Sequence, residues 1–269
     1  MASGLTWGAY LCRGIGPVGE LEVKPYFDPG MYPTGVNKDF TNDTRREKAA
    51  MVSDFRGRFE NPETRDIARA ELDIMRMLEE HGGLAAGKKV CDVGSGTGLF
   101  IRALSERVGH QGLVLANEIS EVFSDYLRSR VVREAMDNVR VLLSQDARDP
   151  GLAGHKATVD LCFICDVYHH VEYPRTLMRH LRSALRPSSG RLVVIDFVRD
   201  DAVHTSHPKG WIYQHVRASQ EEFRKEILSC GFELVAEPAC PYIPENYVMV
   251  FKATEDWGKE VGIGWGSRK

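Results

Sequence analysis

Acids, glycines and histidines recur along this chain at spacings that suit ligand chemistry. Asp92 stands two residues before Gly94-Ser95-Gly96-Thr97-Gly98, Glu118 follows 20 residues beyond Gly98, and Asp146 and Asp166 come after that. An ionised carboxylate only accepts hydrogen bonds, so such a series suits a ligand rich in amino groups and hydroxyls. Three alternating glycines let the backbone approach a ligand where a side chain would block it. Leu99 occupies the place where a dinucleotide fingerprint has its third glycine. Asp166 opens the run Asp166-Val167-Tyr168-His169-His170. Histidine titrates near neutral pH and suits proton removal, while an aromatic face attracts a cation.

These residues need elements to hold them. Lys88 to Val93 reads as a short buried strand running into the glycine turn, which opens a helix marked by Phe100, Ala103, Leu104 and Val108. Before it, a helix is expected from Asn61-Pro62 to Gly82-Gly83, with Ile67, Ala70, Ile74 and Met77 on one face. Gly112 to Ile119 reads as the second strand, ending at Glu118; Ser120 caps a helix to about Met136. Asn138 to Ser144 is the third strand, with Asp146 and Ala147 beyond it. Val159 to Val167 is nearly all apolar, as a central parallel strand buried on both faces would be. A helix from Tyr173-Pro174 to Arg186 and a fifth strand, Arg191 to Phe197, follow. The polar stretch Arg199 to Arg217 reads as a loop long enough for a lid. Ser219 and Glu222 form a capping box, and Glu233–Ala236 and Tyr247–Lys252 read as two closing strands.

Alternating strands and helices imply an α/β, doubly wound, mostly parallel seven-stranded sheet with helices on both faces. The last two strands are joined by a connection too short for a helix, so one antiparallel strand is expected near the C-terminus. Residues 1–55 mix Gly, Pro and aromatics without a period and read as an irregular extension or cap. Residues 56–254 form the main domain and 255–269 a polar tail.

The glycine turn after Asp92, with acids at successive strand ends, resembles motif I of the class I S-adenosylmethionine-dependent methyltransferases. The likeness covers about residues 61 to 252. The Asp-Val-Tyr-His-His-Val-Glu-Tyr-Pro segment resembles a small-molecule branch related to quinone-biosynthesis and arsenite methyltransferases. The resemblance implies S-adenosyl-L-methionine as cofactor, surrounded by Asp92, Gly94, Ser95, Gly96, Gly98, Glu118, Ile119, Asp146, Ala147 and Asp166. Within it, Glu118 would meet the ribose diol and Asp146 the adenine amino group, with Ala147 beside the ring. Tyr168, His169 and His170 would face the methyl-transfer side, where the histidines either take a proton from the acceptor or hold the loop by hydrogen bonds. Arg217 would suit an anionic or carbonyl substrate, or lie in a solvated loop.

Other classes find less support. Asp166, His169, His170 and Asp196 are ligand types near strand ends, but Phe197 follows Asp196 where cation-dependent catechol-type enzymes carry an Asp-Asn pair, so no metal is expected. Cys162 and Cys165 are three apart and fall on opposite faces of a strand, which makes them poor joint ligands. The net charge is −3, with 43% apolar and 27% charged residues and no basic block for nucleic acid. No apolar run approaches the roughly 20 residues of a membrane span. The six scattered cysteines and the lack of a secretory pattern lead us to expect a reduced, cytoplasmic protein. A small-molecule methyltransferase is the reading; a catalytically inactive fold relative serving as an interaction module and a protein methyltransferase are the alternatives. Substrate, accepting atom and oligomeric state are not encoded legibly.

Overall fold

The computed structural model describes Phe40, residues 47–144 and residues 147–254. Seven strands form one sheet: β1 Lys89–Val93, β2 Leu113–Glu118, β3 Val139–Leu143, β4 Leu161–Cys165, β5 Arg191–Phe197, β6 Phe232–Ala236 and β7 Asn246–Ala253. Their order is β3-β2-β1-β4-β5-β7-β6. Only β7 runs against its neighbours, pairing antiparallel with both β5 and β6. This is the sheet expected from the sequence. The order reverses direction at β1 and β4, and a crevice opens there beyond the strand ends, where open parallel sheets bind ligands.

Alternation along the strands divides two apolar cores between the faces of the sheet. Val90, Leu161 and Phe163 face a core shared with Ile74, Leu78, Ile101 and Leu104. Cys91, Cys162 and Ile164 face the other, with Leu181, Phe223 and Phe251. Cys165 packs on the first face and Cys162 on the second, as their spacing requires. The cysteines among the described residues, Cys91, Cys162, Cys165, Cys230 and Cys240, are all free thiols.

The helices are α1 Lys48–Phe59, α2 Asp66–Arg69, α3 Glu71–Met77, α4 Ile101–Val108, α5 Glu121–Arg133, α6 Pro174–Ala184, α7 Trp211–His215 and α8 Gln220–Leu228. The expected cap at Ser120 forms, with Oγ accepting from Phe123 N at 3.4 Å. So does the Ser219–Glu222 capping box at the start of α8.

Three boundaries differ from expectation. The helix expected from Asn61 starts at Asp66, because Asn61 instead closes a turn, its carbonyl accepting from Thr64 and Arg65. It is also broken at Ala70 and ends in a π turn over Leu78–Gly82. Residues 48–55, expected to be irregular, belong to α1, so the expected boundary at 55/56 falls inside a helix. α1 buries Met51 and Phe55 against Phe123 of α5, which makes an aromatic cap above the crevice. The stretch Arg199–Arg217 contains α7 and is tied inward, with Arg199 Nε donating to Val216 O at 2.9 Å. Among the described residues, no helix is long and apolar enough to cross a membrane.

Candidate active site

The glycine turn is built by sterics. Gly94 leaves β1 with φ 73°, and a Cβ there would stand 2.6 Å from Cγ1 of Val167. At Gly98, with φ 93°, a Cβ would meet Leu127 at 2.8 Å. Both separations are below any real carbon contact, so only glycine fits. Backbone N–H groups of Gly94 and Ser95 both donate to Asn117 O at 2.9 Å, tying the turn to the end of β2. The ring of Phe59 from α1 lies over Gly96.

Glu118 braces this turn from behind. Its Oε2 accepts from Gly96 N at 2.7 Å, and its Oε1 accepts from Ile119 N at 2.8 Å and Ser120 N at 2.7 Å. Burial raises its pKa and the three N–H donors pull it back. A carboxylate so engaged keeps little free acceptor capacity, so its first task is to hold the loop.

Asp92 is 3% exposed, and its Oδ2 has no hydrogen-bond partner. Burial pushes its pKa up to about 7, with the Glu118 charge adding to the rise and Ser95 opposing it. Buried acceptors are normally satisfied, so an orphan carboxylate oxygen at a cavity wall marks a place for a donor.

Two cavities flank Gly94. One, about 480 Å³ and open to solvent, is lined by Asp92, Ser95, Gly96, Phe59, Arg65 and Asp166. The other, about 540 Å³ and also open, is lined by Asn117, Ile119, Ala147, Val167, His170 and Leu177. Gly94 and Val167 belong to both. Asp166, with φ 51°, is held from two sides: Arg65 forms an ion pair with Oδ2 and Asn246 donates to Oδ1. Burial pushes Asp166 up to about 7; Arg65 pulls against it, while Asp196 and Asp66 push with it. Asp146, expected at the third strand end, lies outside the described residues.

Tyr168, His169 and His170 form one turn of 3₁₀ helix after β4, so their side chains leave in three directions. Tyr168 turns into the core. It is 0% exposed, lines neither cavity, donates its hydroxyl to Glu226 Oε2 at 3.0 Å and packs edge-on against Phe223. Arg217, expected near substrate, is buried beside it and paired with the same Glu226. Both residues therefore belong to packing rather than to a ligand surface, because α8 presents a buried acid that the sequence does not advertise.

His169 goes the other way. Its Nδ1 lies 2.7 Å from Asp196 Oδ1, and its backbone N–H donates to Asp196 Oδ2 at 3.0 Å. Its Nε2 lies 3.2 Å from Nε2 of His215, at the end of α7. Burial holds His169 down to about 3, reinforced by the Arg217 and Arg65 charges. Burial also holds His215 down to about 4, with His169 adding to the effect. Burial thus favours the neutral form of both rings, and it also pushes Asp196, which faces His169 Nδ1, up to about 7. His170 stands beside them, its ring 4.2 Å from that of His169 and 5.3 Å from that of His215. Burial lowers His170 as well. Sequence reasoning grouped Asp196 with His169 and His170 as ligand types near strand ends, and the pairing of β4 with β5 brings Asp196 to His169. It did not place His215 with them, because that meeting depends on where α7 packs.

Comparison with known proteins agrees with this geometry. Residues 90–188 match the methyltransferase-domain family. A ubiquinone/menaquinone biosynthesis C-methyltransferase of Pseudomonas putida is 30% identical over 124 residues, 45% of this chain and 46% of that protein. The match thus spans about half the length of that curated relative. The crystal structure of an S-adenosylmethionine-dependent methyltransferase from Aquifex aeolicus matches with a TM-score of 0.60 at 25% identity, covering 78% of this chain and 98% of that one. A geranyl diphosphate C-methyltransferase from Streptomyces coelicolor shares the fold, with a TM-score of 0.57 at 16% identity over 81% of this chain and 89% of that one. Residues 90–188 thus carry a methyltransferase domain, on the Rossmann-like fold that the S-adenosylmethionine-dependent methyltransferase from Aquifex aeolicus shares. The residues fit the cofactor of the class: the bare backbone at Gly94, the orphan oxygen of Asp92 and the cavities on either side suit a ligand with amino and hydroxyl groups and no phosphate.

Proposed function

We propose that this chain transfers a methyl group from S-adenosylmethionine to a small-molecule acceptor by in-line displacement, in the cytoplasm. The observation that carries this reading is the pair of open cavities meeting at Gly94 and Val167, with the orphan carboxylate of Asp92 at one end and His170 at the other. The bound cofactor supplies the reactive methyl carbon and a good leaving group. The chain supplies position. Asp92, Ser95, Gly96, Gly98 and Asp166 would hold one arm of the cofactor. Ile119, Ala147 and the turn braced by Glu118 would hold the other. His170 would look towards the acceptor, with His169 and His215 behind it. Phe40, Phe55, Phe59 and Phe123 pack as one aromatic cluster above, which would keep water from the reacting centre. A catalytically inactive relative serving as an interaction module would bind the cofactor without turnover, so homocysteine release in the acceptor screen separates the two readings.

Calorimetric titration with S-adenosylmethionine and S-adenosylhomocysteine tests the reading, with Asp92→Ala as control. Micromolar binding that Asp92→Ala abolishes supports it and justifies a small-molecule screen by homocysteine release. No binding at millimolar ligand sinks it.

A further inference from the structure

We propose that His169, His170 and His215 form a binding site for a divalent transition-metal ion of the zinc type, with Asp196 orienting His169 from behind. One ring nitrogen from each of the three lies within 4.8 Å of the others. His169 Nε2 and His215 Nε2 are 3.2 Å apart. Zinc–nitrogen bonds of 2.0–2.1 Å place the corners of a coordination tetrahedron about 3.4 Å apart. Two of the three nitrogens therefore already stand at ligand spacing, and a ring nitrogen of His170 lies within 4.8 Å of both.

The surroundings are those of a metal site. A ligating imidazole almost always gives its other N–H to a carboxylate, which fixes the tautomer and the ring. Asp196 Oδ1 stands in that place, 2.7 Å from His169 Nδ1. Asp196 is itself anchored by backbone N–H groups of His169 and Phe197, the latter at 2.8 Å. Trp211 stacks on His215 at 4.6 Å and Phe197 lies 5.4 Å from His169, so apolar walls surround the nitrogens. An ion held by both Nε2 atoms would leave the ring proton of each histidine on its Nδ1, which for His169 faces Asp196. Three imidazoles and no carboxylate oxygen among the ligands suit zinc, cobalt, nickel, copper or iron and disfavour magnesium and calcium.

Three protein ligands leave a fourth position open. His170 also lines the cavity beside Gly94, so the fourth position would face that cavity. An acceptor hydroxyl bound there would lose its proton more readily. That role rests on the methyltransferase reading; the metal site itself does not.

The test uses full-length protein stripped with a chelator. Zn²⁺ is titrated in competition with a chromophoric chelator, and Co²⁺ is followed by its visible spectrum. S-adenosylhomocysteine affinity and thermal stability are measured in parallel. The expected result is one ion per chain, with a four-coordinate Co²⁺ spectrum. His170→Ala and His215→Ala should each weaken Zn²⁺ binding by more than about 100-fold, and Asp196→Asn by about 10–100-fold. His110→Ala, at an exposed position after α4, should change nothing. Absence of stoichiometric Zn²⁺ binding at micromolar ion overturns the proposal, as does undiminished affinity in a folded His170→Ala/His215→Ala variant. Loss of the metal with S-adenosylhomocysteine still bound leaves the methyltransferase reading intact, and the reverse outcome separates them equally.

Discussion

Arg217 meets Glu226 through two bonds, Nη1 to Oε1 and Nη2 to Oε2, each 3.0 Å long, with both side chains buried. The Tyr168 hydroxyl donates to the same carboxylate, and the Arg217 guanidinium lies 4.3 Å from the centre of the Phe223 ring. This cluster sits on the face of the sheet away from the glycine turn, between the end of β4 and α8. It fastens the histidine turn to the body of the domain.

Removing one partner of a buried pair strands the other charge, at a cost of about 3–5 kcal/mol. Arg217→Met is therefore expected to lower stability by that amount in chemical denaturation, with S-adenosylhomocysteine affinity unchanged in the folded fraction. Arg217→Met combined with Glu226→Leu should recover most of the loss. A selective fall in affinity without destabilisation would restore Arg217 to the ligand site.

Tyr168→Phe deletes one bond to a charged acceptor, which is worth about 1.5–3 kcal/mol. Stability should fall by that scale, while any turnover found in an acceptor screen stays at the parent value. A large loss of turnover at unchanged stability would return the Tyr168 side chain to the chemistry.

Gly94→Ala faces two separate penalties. The left-handed backbone at φ 73° costs a residue with a Cβ about 1–2 kcal/mol, and the new carbon also collides with Val167. The variant should lose both thermal stability and cofactor affinity. Adding Val167→Ala should relieve the collision but not the backbone strain, so melting temperature recovers only in part.

Burial pushes the Asp92 carboxyl up to about 7 from an ordinary 3.8, so the fold favours its protonated form. That contribution is fully present below the ordinary value and is lost as pH rises through about 7. Asp92→Asn should therefore be more stable relative to the parent at pH 8 than at pH 5. The buried histidines act in the opposite sense, their depressed values favouring the folded state as pH rises above them. They are common to both proteins and cancel in the difference between the two melting profiles. Parallel profiles would show that Asp92 is not the buried carboxylate described here.

The fold was legible because its signals are local. Strand-length apolar runs, the Ser120 cap, the Ser219–Glu222 box and the glycines of the turn each depend on residues a few positions apart. Asp92, Ile119 and Ala147, which line the two cavities, lie in or just beyond strands that the sequence marks in the same local way. What escaped depends on distant pairs. Tyr168 turns inward because of Glu226, 58 positions on, and His169 finds Asp196 and His215 at separations of 27 and 46. No pattern within one segment encodes such meetings. The register of β4 beside β5 and the placement of α7 create them.

Val167 stands between the two cavities with its methyl groups pressed against bare backbone at Gly94. Because one side chain borders both, a change in its bulk acts on two spaces at once: Val167→Ala would widen them together, and a larger residue would narrow them together.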